Sequence, residues 1–158
     1  MSQPTVMIET VDRGPKAISR SAVVDVPAEA IFALLVDPHR HHELDGSGTV
    51  GKGISGPAHL RQGDTFTVSM KQFGVPYRIK STVTRLTENR EIEWRHPAGH
   101  TWHWELEPLP NGQTRVTETW DFSKSKAATI YRLIGVPKRN TAGIESTLRG
   151  LPTAIPKN

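Results

Sequence analysis

The sequence predicts an α+β domain in which an antiparallel sheet covers one long C-terminal helix. Five segments between residues 65 and 122 alternate apolar and polar side chains with a period of two, which is typical of half-buried strands. Residues 127–151 instead repeat apolar side chains at gaps of three and four, which indicates an amphipathic helix. Because this helix carries the only large apolar stripe left to cover the sheet, we expect the two to pack together.

Length and charge limit the class of protein. The 158 residues are enough for one domain, and we expect an N-terminal arm over residues 1–15 followed by a single domain over residues 16–158. The net charge of +4 comes from scattered basic residues whose longest run is Lys138-Arg139, which argues against binding to nucleic acid. The longest apolar run, Ala30–Val36, is too short for an integral membrane segment. With no secretory signal and no cysteine, we expect a cytoplasmic protein.

The first half of the domain is predicted to contain a strand, two short helices and a glycine-rich loop. Ala17–Val26 alternates as a strand does, and Pro27 occupies the first position of a helix, which proline favours. Pro38–Leu44 predicts a second short helix. Residues 46–63 contain six glycines, so we expect only a short strand at Thr49–Lys52 before a long loop.

Turn residues separate five strand candidates in the second half, which predicts an antiparallel meander. These candidates are Thr65–Lys71, Tyr77–Leu86, Glu91–Arg95, Thr101–Glu107 and Thr114–Phe122. Alternation along them gives the sheet one polar face and one apolar face. The apolar face holds all four tryptophans, which are Trp94, Trp102, Trp104 and Trp120. Each such ring removes roughly 150–250 Å² from water when it is buried, so packing on this face should dominate the stability.

The terminal helix is expected to be interrupted near its middle. Its apolar stripe consists of Ala127, Ile130, Ile134, Pro137, Thr141, Ile144, Leu148 and Leu151. The middle of this stripe contains the segment Gly135-Val136-Pro137. Its proline lacks a backbone donor and clashes with the preceding turn of a helix. The sequence therefore predicts either a kink or a break into two helices.

The order of these elements resembles the helix-grip fold of the START and Bet v 1-like (SRPBCC) superfamily. The block Ser21–Pro38, with its Val26-Pro27-Ala28-Glu29 turn, is similar to the start of the polyketide cyclase/dehydrase-like branch. The resemblance covers residues 17–151. It implies a curved antiparallel sheet of about seven strands wrapped around the C-terminal helix, with two short helices after the first strand and a cavity for an apolar or amphipathic small molecule. Members include binding proteins, aromatic cyclases and interaction modules, and they share no catalytic motif that transfers to this chain.

Glu118 is the strongest candidate for a functional side chain. It shares strand parity with Val116 and Trp120, so alternation turns its carboxyl group toward the tryptophan-rich face. Burial there favours the protonated form, which can bind a ligand hydroxyl or amine, or act as a general acid or base. Two structural alternatives stay open, namely a bulge that turns Glu118 outward and an internal partner such as Arg20.

Histidines and carboxylates in the second short helix raise the question of a metal. His39 and His42 stand three residues apart and can share a helix face with Glu43. No second pair of ligands with matching spacing occurs elsewhere, so we expect no metal and no other cofactor. The resembled family places this helix near the cavity entrance, which makes His42 a candidate for the rim or for proton transfer.

The remaining candidates come from the hairpin histidines, the aromatic face and the terminal helix. His96, His100 and His103 flank a tight turn and are expected on a surface hairpin. Tyr131 follows Ile130, and two roles stay open for it: its hydroxyl points into the cavity, or it is a core tyrosine with a backbone partner. The predicted ligand-binding residues are Met70, Tyr77, Ile79, Trp94, Trp102, Trp104, Glu118, Trp120, Tyr131 and Ile134, and the catalytic candidates are Glu118 and His42.

Three functions are compatible with these residues. The first is a protein that binds a small apolar or aromatic molecule, lipid- or polyketide-like, in an internal cavity where Glu118, Tyr131 and His42 orient it. The second is a polyketide cyclase or dehydratase in which Glu118 or His42 moves protons. The third is a protein-interaction module without a ligand. A homodimer is compatible with each of the three.

Overall fold

The computed structural model describes residues 5–155, and they form one eight-stranded sheet and four α-helices. The strands are β1 Ile8–Val11, β2 Ala17–Val24, β3 Val50–Ser55, β4 Thr65–Gln72, β5 Val75–Thr87, β6 Glu91–Arg95, β7 Thr101–Pro108 and β8 Thr114–Asp121. The helices are α1 Ala28–Leu35, α2 His41–Leu44, α3 Ala128–Leu133 and α4 Val136–Ala154. All neighbouring strands are antiparallel, in the order β1-β2-β8-β7-β6-β5-β4-β3.

This arrangement confirms the predicted fold class, an antiparallel sheet with a long C-terminal helix. The strand β6 has the predicted bounds, and the other strands of the meander begin and end within two residues of the prediction. The sheet has one strand more than the seven expected, because β1 pairs with β2. That strand lies inside residues 1–15, and the division of the chain into an arm and a domain stays a prediction.

The terminal helix is broken rather than kinked. Gly135 has a φ of 76°, a left-handed conformation that glycine adopts at no steric cost. Pro137 lies in the first turn of α4, where its missing N–H needs no partner. The break therefore explains why a proline is tolerated inside the predicted stripe. Of the helices within residues 5–155, none combines the length and the apolar character that crossing a bilayer requires.

Only the second half of the predicted apolar stripe is buried. Leu148 and Leu151 of α4 are fully buried, whereas Ile130 and Ile134 are 58% and 66% exposed. The prediction assumed one continuous helix, but the left-handed residue Gly135 takes α3 out of line with the buried face of α4. The expectation that Ile130 and Ile134 face the core is therefore wrong.

The four tryptophans lie on the inner face of the sheet, which is the face packed against α4. Trp104 and Trp120 are 3% and 1% exposed, and Trp94 and Trp102 are half-buried against the same core. This core also contains the buried leucines of α4. The apolar face that alternation predicts is thus the inner face, and the helix closes over it.

The loop between α2 and β3 is held against α4 by a close approach at Gly46. The Gly46 N–H donates to Thr147 Oγ1 at 2.9 Å. A Cβ atom on residue 46 would lie 2.5 Å from the backbone nitrogen of Thr147, so only glycine fits here without a shift of α4. This contact places the α2–β3 loop beside the inner face.

Candidate ligand-binding site

Glu118 lies in the middle of β8 with its carboxyl group turned to the inner face. It pairs in register with Arg20 on β2 and with Trp104 on β7, and it is 6% exposed. Neither ladder shifts register along β8, so no bulge turns the side chain outward. Arg20 instead donates from Nε to Glu145 Oε2 at 3.1 Å and from Nη1 to the Ser19 carbonyl oxygen. Both structural alternatives for Glu118 are therefore wrong.

Two buried polar atoms on β8 have no hydrogen-bond partner within residues 5–155. They are Glu118 Oε1 and Trp120 Nε1. The two residues stand two apart on one strand, so both side chains belong to the inner face. An unpaired polar atom in an apolar interior costs roughly 1–3 kcal/mol, and folded proteins leave few of them. Two such atoms on the same face of one strand make this part of the inner face the strongest candidate for contact with a ligand.

The surroundings of Glu118 favour its neutral form. Burial raises the pKa of its carboxyl group well above the ordinary value, and the negative charge of Asp45 raises it further. Asp45 is itself held in place, because its Oδ2 accepts from the N–H groups of Thr49 and Val50 at 3.1 Å each. A neutral carboxyl group can both donate and accept a hydrogen bond, which suits an uncharged ligand.

Replacing Glu118 by glutamine should raise stability at neutral and alkaline pH. Between pH 4.5 and the raised folded-state pKa, the unfolded chain loses a proton that the native carboxyl group keeps, so native stability falls as the pH rises. The difference between Glu118→Gln and the wild type should grow by up to about 1.4 kcal/mol per pH unit over this window. Urea unfolding at pH 5, 6, 7 and 8 measures it.

The control for this change is Glu107→Gln, at an exposed position on the neighbouring strand β7. It removes a carboxylate without touching the inner face. Free energies of unfolding that differ by a constant amount between Glu118→Gln and the wild type, whatever the pH, would contradict a buried, neutral Glu118.

Trp120 lies at the centre of an aromatic cluster on the inner face. Its ring stacks on Phe122 with centroids 4.5 Å apart and lies 6.2 Å from the ring of Trp102. Tyr131 of α3 covers it at 5.7 Å, and His100 approaches at the same distance. Flat apolar walls of this kind suit an aromatic or polycyclic ligand body.

His100 is a candidate site residue that the sequence interpretation missed. It is buried, and its Nδ1 lies 3.3 Å from the hydroxyl oxygen of Tyr131. Burial, together with the neighbouring His96, lowers the pKa of His100 to about 3, so its ring is neutral. The expectation of a surface position is therefore wrong for His100. The missed signal was parity, because His100 shares the inward parity of Trp102 and Trp104.

The histidines of α2 and the turn before it do not converge on one point. His41 is buried, donates from Nε2 to the Leu35 carbonyl oxygen at 2.7 Å, and stacks on Trp94. His39 bonds instead to the Gly56 carbonyl oxygen, whereas His42 is exposed. Over residues 5–155, no group of three or more histidine, aspartate and glutamate side chains could hold a metal ion.

The predicted ligand-binding residues fall into three groups. Trp102, Trp104, Glu118, Trp120 and Tyr131 lie together on the inner face around β7, β8 and α3. Trp94 joins His41 and Phe66 in a neighbouring cluster, and Met70 and Ile79 are half-buried on β4 and β5. Tyr77 and Ile134 are exposed, and His42 is exposed on α2.

Two surface depressions lie away from these residues. One, of about 170 Å³, is formed by β1 and the segment leading into it, by β2 and by Arg115. The other, of about 330 Å³, lies beside the β6–β7 turn and includes Arg95 and Pro97. Neither is lined by Glu118 or Trp120. The inner-face site is therefore defined by its side chains and by the unpaired atoms, and Tyr131 of α3 covers part of it.

An antiparallel sheet that packs its aromatic face on a long C-terminal helix defines the helix-grip class of α+β proteins. Residues 16–155 match the sequence profile of the family described as "Polyketide cyclase / dehydrase and lipid transport". The chain belongs to this family, which confirms the resemblance inferred from its opening block.

The chain is also similar to a curated relative and to solved structures that share its fold. The chain is 49% identical over 148 residues to the uncharacterized protein Rv0088 of Mycobacterium tuberculosis, covering 91% of this chain but 66% of that protein. The chain thus spans just under two thirds of the relative's length. Protein CV1439 of Chromobacterium violaceum shares the fold with a TM-score of 0.72 at 18% identity, over 92% of this chain and all of that one. The Aha1 dimer of Colwellia psychrerythraea matches with a TM-score of 0.61 at 16% identity, over 88% of this chain and 95% of that one.

Proposed function

We propose that this domain binds a small amphipathic molecule, with an apolar or aromatic body of the lipid or polyketide kind, between the inner face of the sheet and the terminal helices. The observation that carries the proposal is the pair of buried, unpaired atoms Glu118 Oε1 and Trp120 Nε1. A ligand with a polar group at one end would satisfy both atoms while its apolar body rests on the surrounding rings.

The chemistry of the two atoms restricts the polar end of the ligand. The Trp120 Nε1–H can only donate, so it requires a carbonyl, hydroxyl or ether oxygen. The neutral Glu118 carboxyl group accepts at Oε1 and can donate its own proton. A ligand carboxylate would bring a negative charge into a buried site that already lies near the negative charge of Asp45, so it is disfavoured. The preferred ligand is therefore an uncharged ketone, phenol or alcohol.

A second function, proton transfer in a polyketide cyclase or dehydratase, is favoured by one observation. Burial raises the pKa of Glu118, which keeps a transferable proton on a group aimed at the ligand's polar end. Glu118→Gln separates the two functions, because it preserves the shape and a hydrogen bond but removes the proton. Retained binding with loss of turnover of an aromatic polyketone would indicate an enzyme.

A second copy of the chain is also proposed as a partner of the domain. A homodimer is suggested by the dimeric structure of the Colwellia psychrerythraea protein, which shares this fold. The Mycobacterium tuberculosis relative is longer than this chain, so any activity of its remaining part does not transfer.

The test compares two arene probes that differ by one hydroxyl group. Isothermal titration calorimetry should show that 2-naphthol binds the wild type more tightly than naphthalene does. Glu118→Leu and Trp120→Phe should each weaken binding of 2-naphthol by about tenfold, the equivalent of one hydrogen bond, and leave naphthalene unchanged. Glu107→Leu, on the exposed side of β7, serves as the matched control.

Two results would overturn the proposal. One is that both variants bind 2-naphthol as tightly as the wild type does, because the unpaired atoms would then contribute nothing. The other is that neither probe binds and that native mass spectrometry of the purified protein shows no small molecule attached.

A further inference from the structure

Six large apolar side chains are exposed around the tip of the β4–β5 hairpin and along α3. We call them the rim patch, and they are Phe73, Val75, Tyr77, Ile130, Leu133 and Ile134. Phe73 and Leu133 are 88% and 80% exposed. The first turn of α4, which follows α3 directly, reaches the hairpin tip, because the guanidinium of Arg139 lies 5.9 Å from the centre of the Phe73 ring. Clusters of large exposed apolar side chains commonly mark an interaction surface.

Phe73 has a backbone conformation that phenylalanine rarely adopts. Gln72 pairs with Val75, so Phe73 and Gly74 form a two-residue hairpin turn. Their φ angles are 52° and 76°, and hairpin turns with two positive φ angles favour Asn-Gly. A bulky ring in this conformation is strained, and here it is also exposed to water. Such local strain is common at residues that are retained for function rather than for folding stability.

The two segments that carry the rim patch contain basic side chains and no acidic ones. Residues 65–80 and 122–144, which supply the hairpin and the α3–α4 region, contain eight lysines and arginines and no aspartate or glutamate. The rest of the chain holds twelve basic and sixteen acidic residues. The eight are Lys71, Arg78, Lys80, Lys124, Lys126, Arg132, Lys138 and Arg139. All eight are exposed, and none forms an ion pair with a carboxylate described in residues 5–155.

We infer that the rim patch docks on the surface of an anionic lipid bilayer. Phe73, Leu133 and Ile134 would enter the boundary between headgroups and acyl chains, and the flanking basic residues would face the lipid phosphates. Four of the six side chains, Val75, Ile130, Leu133 and Ile134, are aliphatic. Aliphatic side chains gain from hydrocarbon but cannot stack on bases, which disfavours nucleic acid. A second copy would bring its own eight cations to the same surface, and like charges disfavour that pairing.

The first test is co-sedimentation with lipid vesicles. In about 0.1 M salt, the wild type should bind phosphatidylcholine vesicles containing about 25% phosphatidylglycerol, and binding should fall about tenfold in about 0.5 M salt. Pure phosphatidylcholine vesicles should bind the protein much more weakly.

Phe73→Asn separates docking from folding. Asparagine suits the turn, so this variant should unfold about 2 °C higher than the wild type while its binding to the anionic vesicles falls about tenfold. Met7→Ser removes another exposed apolar side chain, on the segment leading into β1, and should bind as the wild type does. Lys138→Glu should weaken binding, whereas Arg90→Glu, in the turn at the far end of β5, should not.

Three results would overturn the inference. These are no binding to the anionic vesicles at low salt, equal binding by Phe73→Asn and the wild type, and a dimer in sedimentation velocity that Phe73→Asn dissociates. The last result would assign the rim patch to a second copy. Glu118→Leu should still bind the vesicles, so failure of the proposed interior site and failure of docking are observed separately.

Discussion

Replacing Leu148 by alanine should lower the free energy of unfolding by about 2–5 kcal/mol, because the side chain is fully buried where α4 meets the sheet. The loss combines the transfer free energy of the removed atoms with the cavity they leave. Urea denaturation followed by circular dichroism measures it. The size of the effect reports how strongly the terminal helix is held on the aromatic face.

The matched control is Ile134→Ala, which removes a similar volume from the predicted stripe at an exposed position. Its effect should stay within about 0.5 kcal/mol, as for most exposed substitutions. If Ile134→Ala costs as much as Leu148→Ala, the stripe is continuous and the break at Gly135 does not set which side chains are buried.

Acid should destabilise the protein through His41. Burial lowers the pKa of His41 to about 4 from an ordinary value of 6.5. Above pH 6.5 the ring is neutral in both states. As the pH falls from 6.5 to about 4, the unfolded chain takes up a proton that the native ring does not bind. About 3 kcal/mol of stability is therefore lost by pH 4. Unfolding free energies of the wild type and His41→Gln, measured from pH 7 to pH 4, should converge as the pH falls.

His100 should contribute to the acid loss in the same direction, because its pKa is lowered to about 3. The double variant His41→Gln/His100→Gln should therefore have a flatter pH dependence than either single variant. Parallel curves for the wild type and His41→Gln would mean that the native ring takes up its proton over the same pH range as the unfolded chain, which contradicts its buried position against Trp94.

Local patterns in the sequence carry most of the information about the sheet. Alternation is a property of neighbouring residues, so β6 could be placed without error and Glu118 could be assigned to the inner face. The helix break was also predictable in kind, since glycine and proline act on the backbone where they stand. These features need no knowledge of the rest of the chain.

Features that join distant segments could not be predicted in this way. The basic residues look scattered along the sequence, and only the fold brings Arg139 of α4 to Phe73 at the tip of the β4–β5 hairpin. The exposure of Ile130 depends on the direction α3 takes after β8. The burial of His100 was not predicted because this residue flanks a tight turn, although it shares strand parity with Trp102. Whether Glu118 has an internal partner depends on where the Arg20 side chain lies, and Arg20 donates to Glu145 on α4 instead.

The most direct test of the inner-face site follows the four tryptophan indole N–H signals by NMR while 2-naphthol is added, each signal assigned from a tryptophan-to-phenylalanine variant. A hydrogen bond from Trp120 Nε1 to the probe should move its signal downfield more than the other three, and Glu118→Leu should reduce that movement at the same probe concentration. A Trp120 signal that stays in place while 2-naphthol binds would show that the ligand lies elsewhere.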